Sequence, residues 1–322
     1  MDNEARNLSY FPISLFSSTM GLAGLSLAFM ASTDILGVTP WFHWVLSLIT
    51  LAAFAVISLT YLTKIIKHWM AFKSELINPM ALPFFPTLSI TILLLSMMFS
   101  SYFPQLASVL WYIGAALQLV LTFYILNQWI NTDNWQLPQL TPAWFIPVVG
   151  NIIAPIGAVS YASIEIAWFF FSIGLIFWLI LKTLVIYRLI FQPTLPPMLK
   201  PTLFIFIAPP AMGFMSYIAL NEFVLDGFAM MLYFIALFMT LLLLTQIRHF
   251  IKLPFAISWW AYTFPLAAIT NASFLIYELH TGKWFGYIAA LLIAMLTALI
   301  LHVSVKTLIA IKNKQLCVAP KQ

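Results

Sequence analysis

Charged side chains are scarce in this sequence. Asp, Glu, Lys and Arg together make up 7% of the 322 residues, whereas a soluble domain carries about 25%. A soluble chain of this length needs a polar shell around its core, and these residues supply none. The composition therefore excludes an ordinary soluble domain and predicts an all-α integral membrane protein that lies in a lipid bilayer.

Cysteine is almost absent too. Cys317 is the single cysteine, so the sequence has no disulfide framework, and the five histidines show no metal-ligand spacing. No apolar run combines a nucleophile, a base and an orienting group, and there is no Gly-rich phosphate loop followed by lysine. We therefore expect no enzymatic activity, no metal site and no cofactor.

Long apolar runs occupy most of the chain and predict ten transmembrane helices. The predicted spans are residues 12–32, 39–63, 83–101, 106–129, 144–162, 166–187, 201–220, 227–247, 255–277 and 284–310. No connection between them is long enough for a soluble domain. We therefore expect one transmembrane channel domain over residues 1–322, with short cytoplasmic tails at 1–11 and 311–322.

The basic residues predict the orientation in the membrane. Ten spans put both termini on one side, and every lysine and arginine except Lys283 then falls on that side. By the positive-inside rule, both termini are cytoplasmic and the protein lies in the plasma membrane, which in bacteria is the inner membrane. The net charge of +5 is explained by this topology, so we expect no nucleic-acid partner.

Helix-breaking residues concentrate in the odd-numbered spans, which also begin at or just after prolines. Predicted kinks lie at Gly21, Pro155, Pro209 and Pro265, with Ser96 in place of a breaker in the third span. Irregular backbone at membrane depth must be covered by protein or line a cavity. We therefore predict five helical hairpins, with kinked odd-numbered helices around a central pore and even-numbered helices outside. The alternative is that glycine and proline only allow close helix packing.

The predicted pore is electrically neutral. No odd-numbered span carries Asp, Glu, Lys or Arg in its middle, whereas cation pathways normally keep a titratable group. A neutral path does not repel anions, and the basic mouth raises their local concentration. The expected lining residues are Ser18, Gly21, Gly150, Asn151, Pro155, Pro209, Pro210, Gly213, Thr263 and Pro265.

Four segments resemble a known family. Residues 21–29, 147–151, 200–213 and 260–265 are similar to the tellurite-resistance/dicarboxylate transporter family, which includes bacterial TehA-type channels and plant guard-cell slow anion channels. The resemblance implies a homotrimer in which each subunit has its own pore for small inorganic anions. It also implies that Phe264 occludes that pore, because Phe264 matches the family's occluding phenylalanine.

Three functions follow from these observations. The first is a passive channel for chloride or nitrate with Phe264 as its gate. The second is a secondary transporter or exporter of C4-dicarboxylates or tellurite-like oxyanions, and the third, which the absence of a catalytic arrangement disfavours, is a membrane-embedded enzyme. From composition alone, we expect Phe264 to be a packing residue, because it is one of 29 phenylalanines. Proton dependence of transport separates the channel from the secondary transporter.

Overall fold

The computed structural model describes residues 7–133 and 135–318, without the side chain of Asp34. Within these residues every regular element is helical. Residues 1–6 and 319–322 of the two predicted tails lie outside the described residues. The α-helices in chain order are α1 (Phe16–Leu36), α2 (Trp41–Lys67), α3 (Trp69–Leu76), α4 (Pro86–Phe99), α5 (Pro104–Asn131), α6 (Ile146–Tyr161), α7 (Ile164–Phe191), α8 (Ala208–Leu220), α9 (Gly227–Thr245), α10 (Ile247–Phe250), α11 (Thr263–Leu279) and α12 (Trp284–Lys312).

The prediction of an all-α membrane protein is confirmed. In the part of the chain that the structure describes, nine helical segments are long and apolar enough to cross a bilayer. The ninth predicted span, 255–277, corresponds to a 3₁₀ turn at Ile257–Tyr262 followed by α11, which are not among the nine. The count of ten crossings therefore stays a prediction.

The spanning helices form two layers. In the inner segments Ile13–Thr33, Leu82–Phe99, Pro142–Tyr161 and Pro197–Leu220, between 72% and 83% of the most apolar stretch is buried inside the protein. In α2, α5, α7, α9 and α12 the buried share is only 17% to 33%. Most residues of α11 are buried as well, so it belongs to the inner layer.

The inner helices close into a ring. Each packs against the next in the order α1, α4, α6, α8 and α11, and α11 packs against α1. Each inner helix also packs against the outer helix that follows it in the chain, which gives five helical hairpins. The axis of the ring is therefore enclosed by protein on all sides, and the outer helices present their apolar side chains to lipid.

The five inner segments change helix type along their length. A 3₁₀ turn precedes each inner α-helix, at Ile13–Leu15, Leu82–Phe84, Pro142–Phe145, Pro197–Phe206 and Ile257–Tyr262. Proline then occupies the first turn of four of these α-helices, as Pro86, Pro147, Pro209 and Pro265. Proline lacks a backbone N–H, and N–H groups in a first turn have no partner within the helix.

The positions of these irregular turns partly differ from the predicted kinks. Pro209 and Pro265 lie beside a change of helix type, as the prediction requires. Gly21 and Ser96, however, lie inside α1 and α4, away from the junctions. Pro155 lies inside α6, where an interior proline breaks a helix hydrogen bond, so its kink stays a prediction. Glycine remains inside an α-helix where a neighbour approaches closely, and the Thr263 side chain packs directly on Gly21.

Candidate functional site

A small cavity lies on the axis of the ring. Its volume is about 30 Å³, which is room for one or two water molecules. One of the first two residues of every inner α-helix lines it. The cavity therefore lies at the level of the junctions between the 3₁₀ turns and the α-helices. These residues are Ser17, Thr87, Ile146, Ala208 and Phe264.

A second cavity lies along the same axis. Its volume is about 10 Å³, which barely admits a single water molecule. Residues of α1, α4, α8 and α11 line it, including Gly24, Asn271 and the methionines Met97, Met212 and Met215. It is therefore a narrow space between packed side chains.

Phe264 separates these two cavities. It is the residue that lines both of them, and its side chain is 6% exposed. Gly24 of α1 lies beside its ring, because a Cβ atom added to Gly24 would be 3.7 Å from Phe264 Cδ2. The ring is therefore packed against α1 at the border of both cavities.

A wider cavity lies at the end of the bundle that carries the basic loops, which we term the basic end. Its volume is about 500 Å³, and the beginnings of four of the five inner segments line it, all except that of Pro142–Tyr161. Phe84 lines both this basic-end cavity and the 30 Å³ central cavity. The basic-end cavity and the central cavity therefore share Phe84 as a lining residue, and we term the line of these three cavities the axial path.

The axial path is neutral where it is narrowest. Among the described residues that line the two central cavities, none is ionisable. Glu75 lines the basic-end cavity, and its carboxylate accepts a hydrogen bond of 2.6 Å from Lys64 Nζ and one of 2.8 Å from the Tyr61 hydroxyl. The Ile13 N–H donates to the other carboxylate oxygen. The negative charge of Glu75 is therefore paired.

Pro265 lines the central cavity next to Phe264, whereas the neighbouring Thr263 does not. The Thr263 hydroxyl donates to the Trp260 carbonyl, and its side chain fills the space that Gly21 leaves in α1. Gly21 and Thr263 therefore form a contact between α1 and α11. Their predicted pore-lining role stays a prediction.

Gly150 and Asn151 face the outer helix α5. A Cβ atom at Gly150 would overlap the side chain of Gln118. Asn151 Nδ2 donates to Thr122 Oγ1 at 2.9 Å, and Gln118 Nε2 donates to the Pro147 carbonyl at 2.7 Å. In this conformation, these polar groups connect α5 to the start of α6.

The remaining predicted lining residues also lie away from the two central cavities. Gly213 faces Leu232 of α9 and Ile152 of α6. Pro155, Pro209 and Pro210 are buried in their helices. Ser18 donates to the Leu15 carbonyl and lines a groove between α1, α2 and α12. These positions leave the pore-lining predictions untested, because another conformation can expose other residues.

Several cavity-lining residues were not identified from the sequence, including Ile90, Val149 and Ile205. The spacing of these residues along the chain is a signal that could have identified them. Inner segments contribute lining residues three positions apart, such as Thr87 with Ile90 and Ile146 with Val149. This spacing is that of one face of a 3₁₀ or α-helix, but it becomes visible only when the junction of each segment is known.

The fold and the site define a class: a polytopic all-α membrane protein in which five inner helices surround narrow cavities, and the described residues that line these cavities are uncharged. Residues 10–308 match the family model described as voltage-dependent anion channel (SLAC1). The chain belongs to this family, as the resemblance in the sequence indicates.

Three curated relatives illustrate the range of the family. The chain is 32% identical to the S-type anion channel SLAH2 of Arabidopsis thaliana over 84% of this chain and 54% of the relative. It is 29% identical to the guard cell S-type anion channel SLAC1 of the same plant, over 93% and 55%. It is 23% identical to the tellurite resistance protein TehA homologue of Haemophilus influenzae, over 83% and 81%. The chain spans about half the length of these plant relatives.

Proposed function

We propose that this protein is a passive channel for small monovalent anions such as chloride and nitrate, and that Phe264 occludes its pore. The observation that carries the proposal is the position of Phe264 between the two central cavities inside a closed ring of helices. Phe84 links the central cavity to the wide cavity at the basic end. One side chain therefore accounts for closure of the path.

The electrostatics of the ring favour anions. Each inner segment passes from its 3₁₀ turn into its α-helix at the central cavity, so its positive N-terminal end lies before this cavity, at the start of the 3₁₀ turn. No ionisable group among the described lining residues opposes this field. The hydroxyls of Ser17 and Thr87 provide polar contacts without charge. A small anion in the central cavity therefore meets hydroxyl groups and no opposing charge among the described lining residues.

Opening requires the Phe264 ring to move. The small cavity beyond it is lined by Gly24 and three methionines, and methionine side chains adapt readily to a new neighbour. We propose that the ring rotates about its Cα–Cβ bond toward this cavity. The inner helices then keep their places, and the path opens by a local change.

The names of the plant relatives support the same function. SLAH2 and SLAC1 are both described as S-type anion channels. The chain covers about half of each of these relatives. Phe264 and the residues that line the two central cavities lie within residues 10–308, which match the family model.

Anion efflux from liposomes tests the proposal. Purified wild type and Phe264→Ala are reconstituted with chloride or nitrate inside and without a proton gradient. We expect Phe264→Ala to release either anion at least roughly tenfold faster than wild type, which corresponds to about 1.4 kcal/mol in the barrier. Phe264→Leu keeps a bulky side chain and is expected to fall between the two.

Phe238→Ala is the matched control, because Phe238 lies on the outer helix α9 and is 60% exposed. This substitution removes a phenyl ring from a position away from the axial path. The variant is expected to release anions no faster than wild type does. A folded Phe264→Ala protein that stays as tight as wild type contradicts the assignment of Phe264 as the gate.

The second candidate is a secondary transporter for C4-dicarboxylates or tellurite-like oxyanions. The observation that favours it is the similarity to a tellurite resistance protein homologue. The same liposomes test it when a proton gradient and a C4-dicarboxylate, or tellurite, are supplied. Efflux that appears only under those conditions, in wild type and Phe264→Ala alike, supports the secondary transporter over the channel.

We also propose the assembly and orientation that the sequence implies. Three subunits associate, each with its own path, in the plasma membrane, with the basic loops in the cytoplasm. Cross-linking in native membranes tests the trimer. Labelling of Cys317, the single cysteine, with a membrane-impermeant reagent tests the side on which the C-terminal segment lies.

A further inference from the structure

A large apolar cavity lies beside the helical ring, separate from the axial path. Its volume is about 510 Å³, within the range of about 300 to 1,000 Å³ that is typical of small-molecule sites. Residues of α9, α10, α12 and the 3₁₀ turn Ile257–Tyr262 line it. We term it the lateral cavity. Because α9 and α12 belong to the outer layer, it lies at the outer surface of the helical bundle.

The floor of the lateral cavity is the segment that carries the proposed gate. Tyr262 and Leu266 line the lateral cavity, whereas Phe264 and Pro265 line the central cavity. The first turn of α11 and the residues before it therefore separate the two spaces. Anything that occupies the lateral cavity packs directly behind the gate residue.

Exposed basic residues lie next to the lining residues of the lateral cavity in the chain or on the same helix face. Arg248 and Lys252 are exposed and directly follow the lining residues Ile247 and Ile251. On α12 the lining residues Met295, Leu299 and His302 share one face, and the exposed Lys306 continues that face by one turn. Residues 246–256 and 298–312 contain no Asp or Glu. Topology alone explains basic loops, but it does not explain their placement around an apolar cavity.

We propose that the lateral cavity binds an anionic phospholipid of the bilayer. One acyl chain occupies the cavity, and Arg248, Lys252 and Lys306 bind the headgroup phosphate, because juxtamembrane lysines and arginines attract anionic lipid. The effect of this lipid on transport rests on the proposed function. A chain packed behind Tyr262 and Leu266 holds the Phe264 segment in the ring, so occupancy favours the closed path.

Lipid binding is measured without any transport. Delipidated protein in detergent micelles is titrated with palmitoyl-oleoyl phosphatidylglycerol or phosphatidylcholine, and bound lipid is counted by native mass spectrometry. We expect wild type to retain phosphatidylglycerol at least fivefold more than phosphatidylcholine. Ala298→Trp fills the cavity from α12, where Ala298 is an exposed lining residue, and is expected to abolish this retention. Arg248→Gln/Lys252→Gln/Lys306→Gln is expected to abolish the preference for phosphatidylglycerol.

Ala294→Trp is the matched control, because Ala294 is exposed on the same helix and lies outside the cavity lining. It is expected to retain lipid as wild type does, and gel filtration checks that all variants are folded. Retention of phosphatidylglycerol by folded Ala298→Trp, or an unchanged preference in the triple variant, overturns the inference. Neither result bears on Phe264, whose role the efflux assay tests independently.

Discussion

Gly24 and Phe264 lie side by side in the contact between α1 and α11. A Cβ atom at Gly24 would be 3.7 Å from Phe264 Cδ2 and 2.5 Å from Ala267 Cβ. The first distance is an ordinary contact, and the second is an overlap that requires the two helices to separate. The absence of a side chain at Gly24 therefore sets how closely the helix that carries Phe264 approaches the ring.

Gly24→Ala is therefore expected to loosen the closed path. Separation of α1 from α11 lowers the free energy of unfolding by about 1 to 3 kcal/mol and raises anion efflux, by less than Phe264→Ala does. Adding Ala267→Gly removes the overlapping methyl group and is expected to restore slow efflux. A double-mutant cycle on efflux and thermal stability measures the coupling, and additive effects contradict the contact.

Gly150→Ala distinguishes a pore-lining glycine from a packing glycine. The added methyl group overlaps Gln118, whose Oε1 accepts a hydrogen bond of 2.7 Å from the Ser89 hydroxyl. Breaking buried hydrogen bonds costs about 1 to 3 kcal/mol, so we expect lower thermal stability and unchanged anion selectivity. Gln118→Ala in the Gly150→Ala background makes room for the methyl group, although it does not restore the hydrogen bonds. A selectivity change at full stability indicates that Gly150 lines the pore.

The Lys64–Glu75 pair is expected to stabilise the start of the first inner segment. Lys64 is 2% exposed, and its Nζ also donates to the Phe11 carbonyl at 2.7 Å. Glu75→Gln leaves the buried ammonium without its counter-ion, which costs about 3 to 5 kcal/mol. Lys64→Met together with Glu75→Gln removes both charges and is expected to recover part of the loss. Thermal unfolding in detergent measures each variant, and a Glu75→Gln protein as stable as wild type contradicts this role.

Asp226 is expected to make stability depend on pH. Its carboxylate accepts hydrogen bonds from the Ala229 and Phe228 N–H groups at the start of α9 and from the Tyr217 hydroxyl. The Ala229 N–H and then the Tyr217 hydroxyl hold the pKa of Asp226 below its usual value. The charged carboxylate therefore contributes to the free energy of unfolding above pH about 4. This contribution is lost as the pH falls through the lowered pKa of Asp226 in the native state.

Asp226→Asn tests this dependence because asparagine keeps a capping oxygen but not the charge. We expect the Tm of Asp226→Asn to lie a few degrees below that of wild type at pH 7. We expect this difference in Tm to become smaller toward pH 3. Glu222→Gln removes an exposed charge from the same connection and is the control, with little change expected at either pH. If the difference in Tm between Asp226→Asn and wild type stays constant with pH, protonation of Asp226 is not linked to stability.

Much of the architecture follows from the order of residues along the chain. Scarce charge and long apolar runs predict membrane helices, because a bilayer accepts few other structures. Alternate spans contain the helix-breaking residues, which are Gly21, Pro155, Pro209 and Pro265. This alternation predicts which helices are inner and which are outer, and the burial of the helices agrees with it. Phe264 was identified by resemblance to a family, and its place on the ring axis could not be derived from periodicity.

The predicted lining residues show why the rest could not be read from the sequence. Small residues at a ring of helices either border a cavity or receive a neighbouring side chain, and the sequence pattern is the same for both. Gly21 receives Thr263, and Gly150 receives Gln118. Each partner lies far away in the chain, so no local spacing relates it to the glycine.

The sequence by itself thus determined the class of protein, the helical hairpins and the division into layers, because hydropathy and helix-breaking residues act locally. The tertiary structure alone decided that the 3₁₀ turns meet at one level, that Phe264 borders two cavities, and that Gly21 and Gly150 receive side chains from other helices in this conformation. Those features arise from five segments converging on one axis, and the distances between segments are set by packing between residues that are remote in the chain.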